Sequence, residues 1–225
     1  MRTLFSYALC PFSRKVRLVL EEKKLDYQLE SEPIWKRREE FLDLNHTGEV
    51  PVFIDVANGK PHTFTQSQAI VEFINDTYQD TNLLPGDALN RALIRQKCLY
   101  YDINFHKDIT HKIVFEKALK RKMGQGSLDS KTLRAGQTNL PSYLEHASWT
   151  LENNDWICGE NLTLADFTLA AHLSCLDYFG TIDWNRFPVV KDWYARLKSR
   201  PCFRSLLKDK IPGITPATHY SDLDF

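Results

Sequence analysis

The sequence has no net charge: Lys plus Arg number 29 and so do Asp plus Glu. No long-range field therefore gathers phosphates or anionic lipid, which argues against nucleic acid as a partner. Long hydrophobic runs are absent too. The opening MRTLFSYALCPFSRKV breaks its apolar stretch too soon for a signal peptide or a membrane span, so the expectation is a cytoplasmic chain with no membrane insertion. The five cysteines, Cys10, Cys98, Cys158, Cys175 and Cys202, are odd in number and widely spaced, with no CxxC pair. That pattern suits neither a disulfide framework nor a zinc site. No HExxH occurs, and His106 and His111 stand five apart, a spacing that does not share one face of a regular helix, so no metal is expected. There is no internal repeat, and Gly124-Gln125-Gly126 lacks the strand and third glycine of a dinucleotide fingerprint.

What is present describes a globular chain: 43% hydrophobic and 26% charged residues. At this mass the folded surface is roughly 10,600 Å² against roughly 38,000 Å² unfolded, enough burial for one or two domains. The first half alternates short apolar runs with helical spacing. Leu4 to Tyr7 and Leu25 to Glu30 read as strands flanking a helix on which Phe12, Val16, Val19 and Leu20 recur. Lys36 to Leu42 can form a short helix, and Val50 to Ile54 and His62 to Thr65 read as strands joined by an Asn58-Gly59 turn. Ser67 opens a helix with Ile70, Phe73, Ile74 and Tyr78 on its apolar side. The order is βαβα-ββα in about 80 residues, a reasonable size for a domain.

Residues 81–89 have the turn-rich composition of a linker, and residues 90–208 carry helical spacing throughout: Ala92 to Leu119, Leu133 to Glu152, Leu164 to Leu176 and Val189 to Lys198. Thr163 and Asp166 have the spacing of a capping box at the head of the third of these. Residues 209–225, with Pro212, Gly213 and Pro216, form an extended tail in which no regular helix fits.

Cys10-Pro11-Phe12-Ser13, the proline of Gly48-Glu49-Val50-Pro51, Gln66-Ser67-Gln68-Ala69-Ile70, Asn161-Leu162-Thr163-Leu164-Ala165-Asp166 and Arg200-Pro201-Cys202-Phe203 occur in an order that resembles the cytosolic glutathione transferase superfamily. The resemblance spans nearly the whole chain. It implies an α/β plus all-α fold: a thioredoxin-like domain with a mixed four-stranded sheet over residues 1–80, then an all-helical domain. It also implies glutathione as substrate and a homodimer.

Site residues follow from the same likeness. Pro51 would follow a cis bond, and Val50 would present its backbone to the cysteinyl group of glutathione. Ser67, at a helix N-terminus, would meet the γ-glutamyl carboxylate, its alternative reading being a plain N-cap. Gln66 stands where the family commonly has an acid, which removes a charge partner for the γ-glutamyl ammonium. Lys36 falls where a basic residue often meets the glycyl carboxylate, and a solvated basic face is the other reading.

Three residues compete as the catalytic group. Cys10, heading a helix next to Arg14 and Lys15, has conditions that lower a thiol pKa, and it resembles the cysteine of omega-like transferases, which form mixed disulfides. Ser13 and Tyr7 occupy positions from which a hydroxyl serves the glutathione thiolate in other classes. Cys10 would mean thiol transfer; the hydroxyls would mean conjugation. Tyr100, Tyr101, Asn104, Phe105 and His106 fall where an acceptor pocket or core would lie.

The ending HYSDLDF, together with SRKVRLVLEEKKLDY, resembles the alphaproteobacterial FzlA proteins, glutathione-transferase-like proteins that bind the division protein FtsZ. The likeness implies a second function, a non-catalytic scaffold on FtsZ filaments, with Asp222, Leu223, Asp224 and Phe225 as the partner-binding tail. The alternative for the tail is that it folds back on its own domain.

Overall fold

The computed structural model describes residues 2–57 and 59–223. Four strands, β1 (Arg2–Ser6), β2 (Tyr27–Ser31), β3 (Val52–Ala57) and β4 (Lys60–Thr65), form one sheet in the order β2-β1-β3-β4. β1 pairs parallel with β2 and antiparallel with β3, and β3 pairs antiparallel with β4. The sheet is mixed because the crossover through α1 (Pro11–Glu22) sets β2 parallel to β1, while β3 and β4 run antiparallel to their neighbours. Ala57 and Lys60 close the β3–β4 hairpin. Asn58, expected in its turn, lies outside the described residues.

α1 and α3 (Ser67–Thr77) bury their apolar sides in one core: Leu4 and Phe53, directly paired in the sheet, share a cluster with Val16, Val19, Leu20, Ile70 and Ile74. The short α2 (Glu39–Leu44) sets Phe41 against Phe5, whose rings are 5.6 Å apart. The stretch expected as one helix from Lys36 divides into a 3-10 turn, Ile34–Lys36, and α2, because Arg37 adopts a left-handed conformation (φ 46°) that no helix passes through.

The second half is helical. α4 (Ala88–Leu99) runs on through wide turns at Tyr100–Thr110, then α5 (His111–Val114), then wide turns again at Phe115–Leu119. The winding here is π-type: the His111 N–H bonds the carbonyl of His106, and that of Lys120 the carbonyl of Phe115. The expectation from regular spacing is thereby corrected, since five-residue turns bring the His106 and His111 rings to 5.5 Å.

α6 (Ser130–Leu151) and α7 (Leu164–Tyr178) follow, then α8 (Pro188–Lys198) and the short α9 (Arg204–Leu207). α7 is buried along its whole length, and its Thr163–Asp166 capping box forms as the sequence requires. The same Asp166 carboxylate also accepts from the Ile157 N–H and Trp193 Nε1.

α1 is buried almost all round, and its cations are paired internally. Arg14 is fully buried and donates to the Ala8 carbonyl (2.6 Å), Ser174 Oγ (2.9 Å), Tyr220 OH (3.1 Å) and Asp209 (3.2 Å). Arg17 takes both oxygens of Asp209, at 3.0 and 2.8 Å. Burial opposes the Arg14 charge, yet Tyr220, Cys175 and Asp209 raise its pKa on balance, so it stays a guanidinium.

These contacts draw the tail back onto the protein. Tyr178 OH accepts from the Ile211 N–H and donates to the Ile214 carbonyl, the Ala217 N–H bonds the Tyr178 carbonyl, and Tyr220 is buried with its OH on the Leu206 carbonyl. The fold-back reading thus holds through Tyr220. Beyond it Ser221, Asp222 and Leu223 are exposed, and Asp224 and Phe225 lie outside the described residues.

Removing one member of a buried ionic cluster leaves uncompensated charge. Arg14→Met is therefore expected to lower the unfolding free energy by about 3–5 kcal/mol in urea titration. Arg186→Met, which breaks a surface pair with Glu145, should change it by under about 1 kcal/mol. Equal effects of the two would contradict the assignment.

Candidate functional site

The first turn of α1 forms because Pro11 occupies the first helical position and Cys10 caps it: Cys10 Sγ accepts the Ser13 N–H at 3.5 Å. The thiol in turn donates to the Val50 carbonyl at 3.6 Å. Val50 precedes Pro51 across a cis peptide bond, as the family resemblance implies. Cys10, Ser13, Val50 and Pro51 therefore meet at one corner, beside Tyr7, which follows β1 and whose carbonyl accepts the Cys10 N–H at 2.9 Å. Two hydroxyls there are buried: Tyr7 OH has no hydrogen-bond partner among the described residues, and Ser13 Oγ lies beside the Cys10 sulfur.

The thiol does not have the electrostatics expected of it. Burial pushes the Cys10 pKa up, and the Ser13 N–H and hydroxyl dipoles beside the sulfur offset only part of that rise. Arg14 and Lys15 do not help. Arg14 faces the tail and α7, and the buried Lys15 Nζ is engaged by Asp102 and, at 3.0 Å, by Gln68 Oε1. This corrects the expectation of a lowered thiol pKa: both cations sit near Cys10 in sequence but point away from its sulfur. Burial also raises the pKa of Tyr7, followed by the effect of Cys175 and Cys10, so it too stays protonated.

The other expected residues are more dispersed. Gln66 holds φ at +68°, a left-handed backbone that a non-glycine residue adopts at a cost of about 1–3 kcal/mol and that gathers at ligand sites. Ser67 is the first residue of α3 and buried, and the cap position is Gln66, with no side-chain cap bond. The plain N-cap reading of Ser67 is thus corrected. Lys36 is exposed at the end of its 3-10 turn and makes no ion pair among the described residues.

Near the Cys10 corner lies a polar group that the sequence touches only through Lys15 and His106. Asp102 pairs with Lys15 and contacts His172 Nε2 at 3.3 Å, and His172 Nδ1 meets Thr110 Oγ1 at 3.0 Å. Burial works against ionising Asp102, but Lys15 and His172 hold its carboxyl below the usual carboxylate range. Burial keeps His172 neutral, and burial beside His172 and His111 pushes His106 down to about 3. The His106 ring packs on Phe12 at 4.7 Å. Tyr101 and Phe105 are core residues, which answers the choice between core and acceptor pocket for those two.

At the outer side of Tyr7, Trp35 stands edge-on at 5.8 Å, and Lys122 Nζ lies 4.7 Å from the Trp35 ring centre and 5.6 Å from that of Tyr7. Lys122 was missed by sequence reasoning. Its place depends on the wide turns before it, which no spacing rule signals.

Comparison with known proteins follows the same lines as this geometry. The family model for the glutathione S-transferase N-terminal domain matches residues 9–77, and that for the C-terminal domain matches residues 107–210. The protein named FtsZ-localized protein A, from Caulobacter vibrioides, is 39% identical over 224 residues, covering 100% of this chain and 98% of its own. The solved structure of FzlA from C. crescentus superposes with a TM-score of 0.96, at 39% identity and 100% and 99% coverage. A structure described as a glutathione S-transferase from Rhodospirillum rubrum F11 gives 0.95, at 43% identity and full coverage of both chains.

A protonated, buried thiol reacts slowly, since only the thiolate is nucleophilic. Alkylation of Cys10 by iodoacetamide at pH 7.5, followed by peptide mass spectrometry, is expected to run at least about tenfold slower than in the urea-unfolded chain. Its rate should climb with pH to above the ordinary thiol range. Native labelling as fast as unfolded, with a midpoint below pH 7.5, would contradict the buried-thiol geometry.

Proposed function

The chain belongs to the glutathione S-transferase family, and from that premise we propose that it serves as an FtsZ-associated division factor, with the family fold acting as a binding scaffold in the cytoplasm. The observation that carries this reading is the end-to-end 39% identity with FtsZ-localized protein A, which takes in the tail as well as both domains. The state of the cleft supports it. Cys10 is held protonated, its neighbouring cations are engaged elsewhere, and Gln66 offers no charge to an ammonium group. The tail is anchored as far as Tyr220 and turns Ser221, Asp222 and Leu223 outward, from where the terminal acidic segment, Asp222 to Phe225, would meet a partner.

A second reading is favoured by the unpartnered, buried Tyr7 OH near the cis Val50–Pro51 bond. On it the cleft binds glutathione: Val50 takes the cysteinyl backbone, Ser67 the γ-glutamyl carboxylate, and Lys36 the glycyl carboxylate, with Ser13 or Cys10 against the thiol. The two readings are compatible if binding is not followed by fast chemistry.

The same premise includes a homodimer. Leu89, Leu93, Leu99 and Ile103 form an exposed apolar ridge along α4 and its continuation, bordering a groove of about 560 Å³ lined by Arg95, Gln96 and Tyr100. A second copy is the occupant we assign to this face, because an apolar ridge of this kind on a soluble protein marks an interface.

Pelleting with GTP-assembled FtsZ polymers tests the scaffold. The wild-type protein and Cys10→Ala should sediment alike, and the double substitution Asp222→Lys, Asp224→Lys should sediment at least about threefold less. Failure of the wild type to pellet, with glutathione binding in the micromolar range that Cys10→Ala abolishes, would overturn the scaffold reading in favour of the enzyme.

A further inference from the structure

Two histidines five residues apart do not face one another on a regular helix, but the wide-turn segment removes that obstacle. The His111 N–H bonds the carbonyl of His106, so the two residues sit on successive turns, and their ring centres are 5.5 Å apart. An imidazole centre lies roughly 3.2 Å from a zinc ion bonded to one of its nitrogens, so two rings sharing a tetrahedral ion have centres roughly 5.2 Å apart. A small adjustment of the exposed His111 side chain brings the observed spacing to that value.

The rings are held in place by their neighbours. Phe12 packs on His106 at 4.7 Å and Phe115 stacks on His111 at 5.4 Å, which gives a row in the order Phe12, His106, His111, Phe115. Neither histidine makes a hydrogen bond or an ion pair among the described residues. His106 turns Nδ1 into the protein without a partner, which leaves Nε2 for an ion arriving from solvent. His172 is also close, its ring 5.8 Å from that of His106, but its nitrogens are engaged by Thr110 and Asp102. Among the described residues no group of three His, Cys, Asp or Glu side chains is placed to hold an ion, so this pair stands as a two-ligand site.

We propose that His106 and His111 chelate a divalent transition-metal ion, zinc in the first instance, with water completing the coordination. Two imidazoles suit zinc better than magnesium or calcium, which take oxygen ligands. An ion held there clips successive turns of the wide segment together. The pair uses no atom of the Cys10 corner and needs neither glutathione nor FtsZ, so it stands or falls independently of both.

Isothermal titration of the chelator-treated full chain with zinc chloride, in a buffer that does not bind metal, tests the pair. The wild type should take up zinc with Kd of about 100 µM or tighter. His111→Gln, at an exposed position, should weaken binding at least about tenfold with the unfolding midpoint of the metal-free chain in place. His62→Gln, an exposed histidine of β4, should leave zinc binding unchanged. His106→Gln should lose zinc as His111→Gln does, and the double variant should be no weaker than either single one, because the two rings form one site. Should His106→Gln fail to fold, imidazole nitrogen–proton correlation spectra of the wild type serve instead, with zinc moving the His106 and His111 ring resonances together. No heat at about 1 mM zinc, undiminished binding in His111→Gln, or ring resonances of only one of the two histidines moving would each overturn the proposal.

Discussion

A single guanidinium holds the molecule's functional parts in one arrangement. Arg14 emerges from the first turns of α1 into the seam between the two halves and finds four acceptors there: a carbonyl in the loop that leads to Cys10, a serine of α7, a tyrosine of the tail and Asp209. A buried charge of this kind tolerates little displacement, because any acceptor withdrawn is not replaced by water. The Ala8 to Cys10 loop, the buried helix α7 and the chain beyond α9 are thereby held to one another, and Arg17 doubles the hold on Asp209. The exposed residues Ser221, Asp222 and Leu223 leave from a fixed base as a result.

The same constraint explains the character of the thiol. A helix N-terminus beside two cations is the setting that lowers a cysteine pKa, yet here both cations are turned into the protein and the sulfur is left with burial as the dominant influence. The charge that would have activated Cys10 instead joins the domains. Lys15 acts in parallel: with Asp102, His172 and Gln68 it links α1 to the wide-turn segment, α7 and α3. A corner built this way holds the cis Val50–Pro51 bond, the buried Tyr7 and Ser13 hydroxyls and a thiol whose pKa burial has raised.

Much of this was legible in the residues. The order of strands and helices, Cys10 as a cap before Pro11, the capping box at Thr163 and Asp166, and the absence of helix in the tail all follow from local rules whose energies act over a few residues. What was not legible depends on contacts far apart in sequence. Ser13-Arg14-Lys15 has the composition of a solvated turn of helix, and only Asp209 and Asp102, far along the chain, make its burial possible. His106 and His111 look mispaired under regular helical spacing and become neighbours because the helix widens there. The sign of the Cys10 shift likewise turned on the direction of two side chains.

The cleft loop and the tail are one mechanical unit joined through Arg14. Hydrogen–deuterium exchange comparing the wild type with Tyr220→Phe tests it most directly, because that substitution removes only the hydroxyl shared by Arg14 and the Leu206 carbonyl. Amides of residues 8–14 are expected to exchange about tenfold faster in the variant, as the loss of a charge-assisted buried hydrogen bond implies. Acceleration confined to residues 215–223, with the Cys10 loop as protected as before, would contradict it.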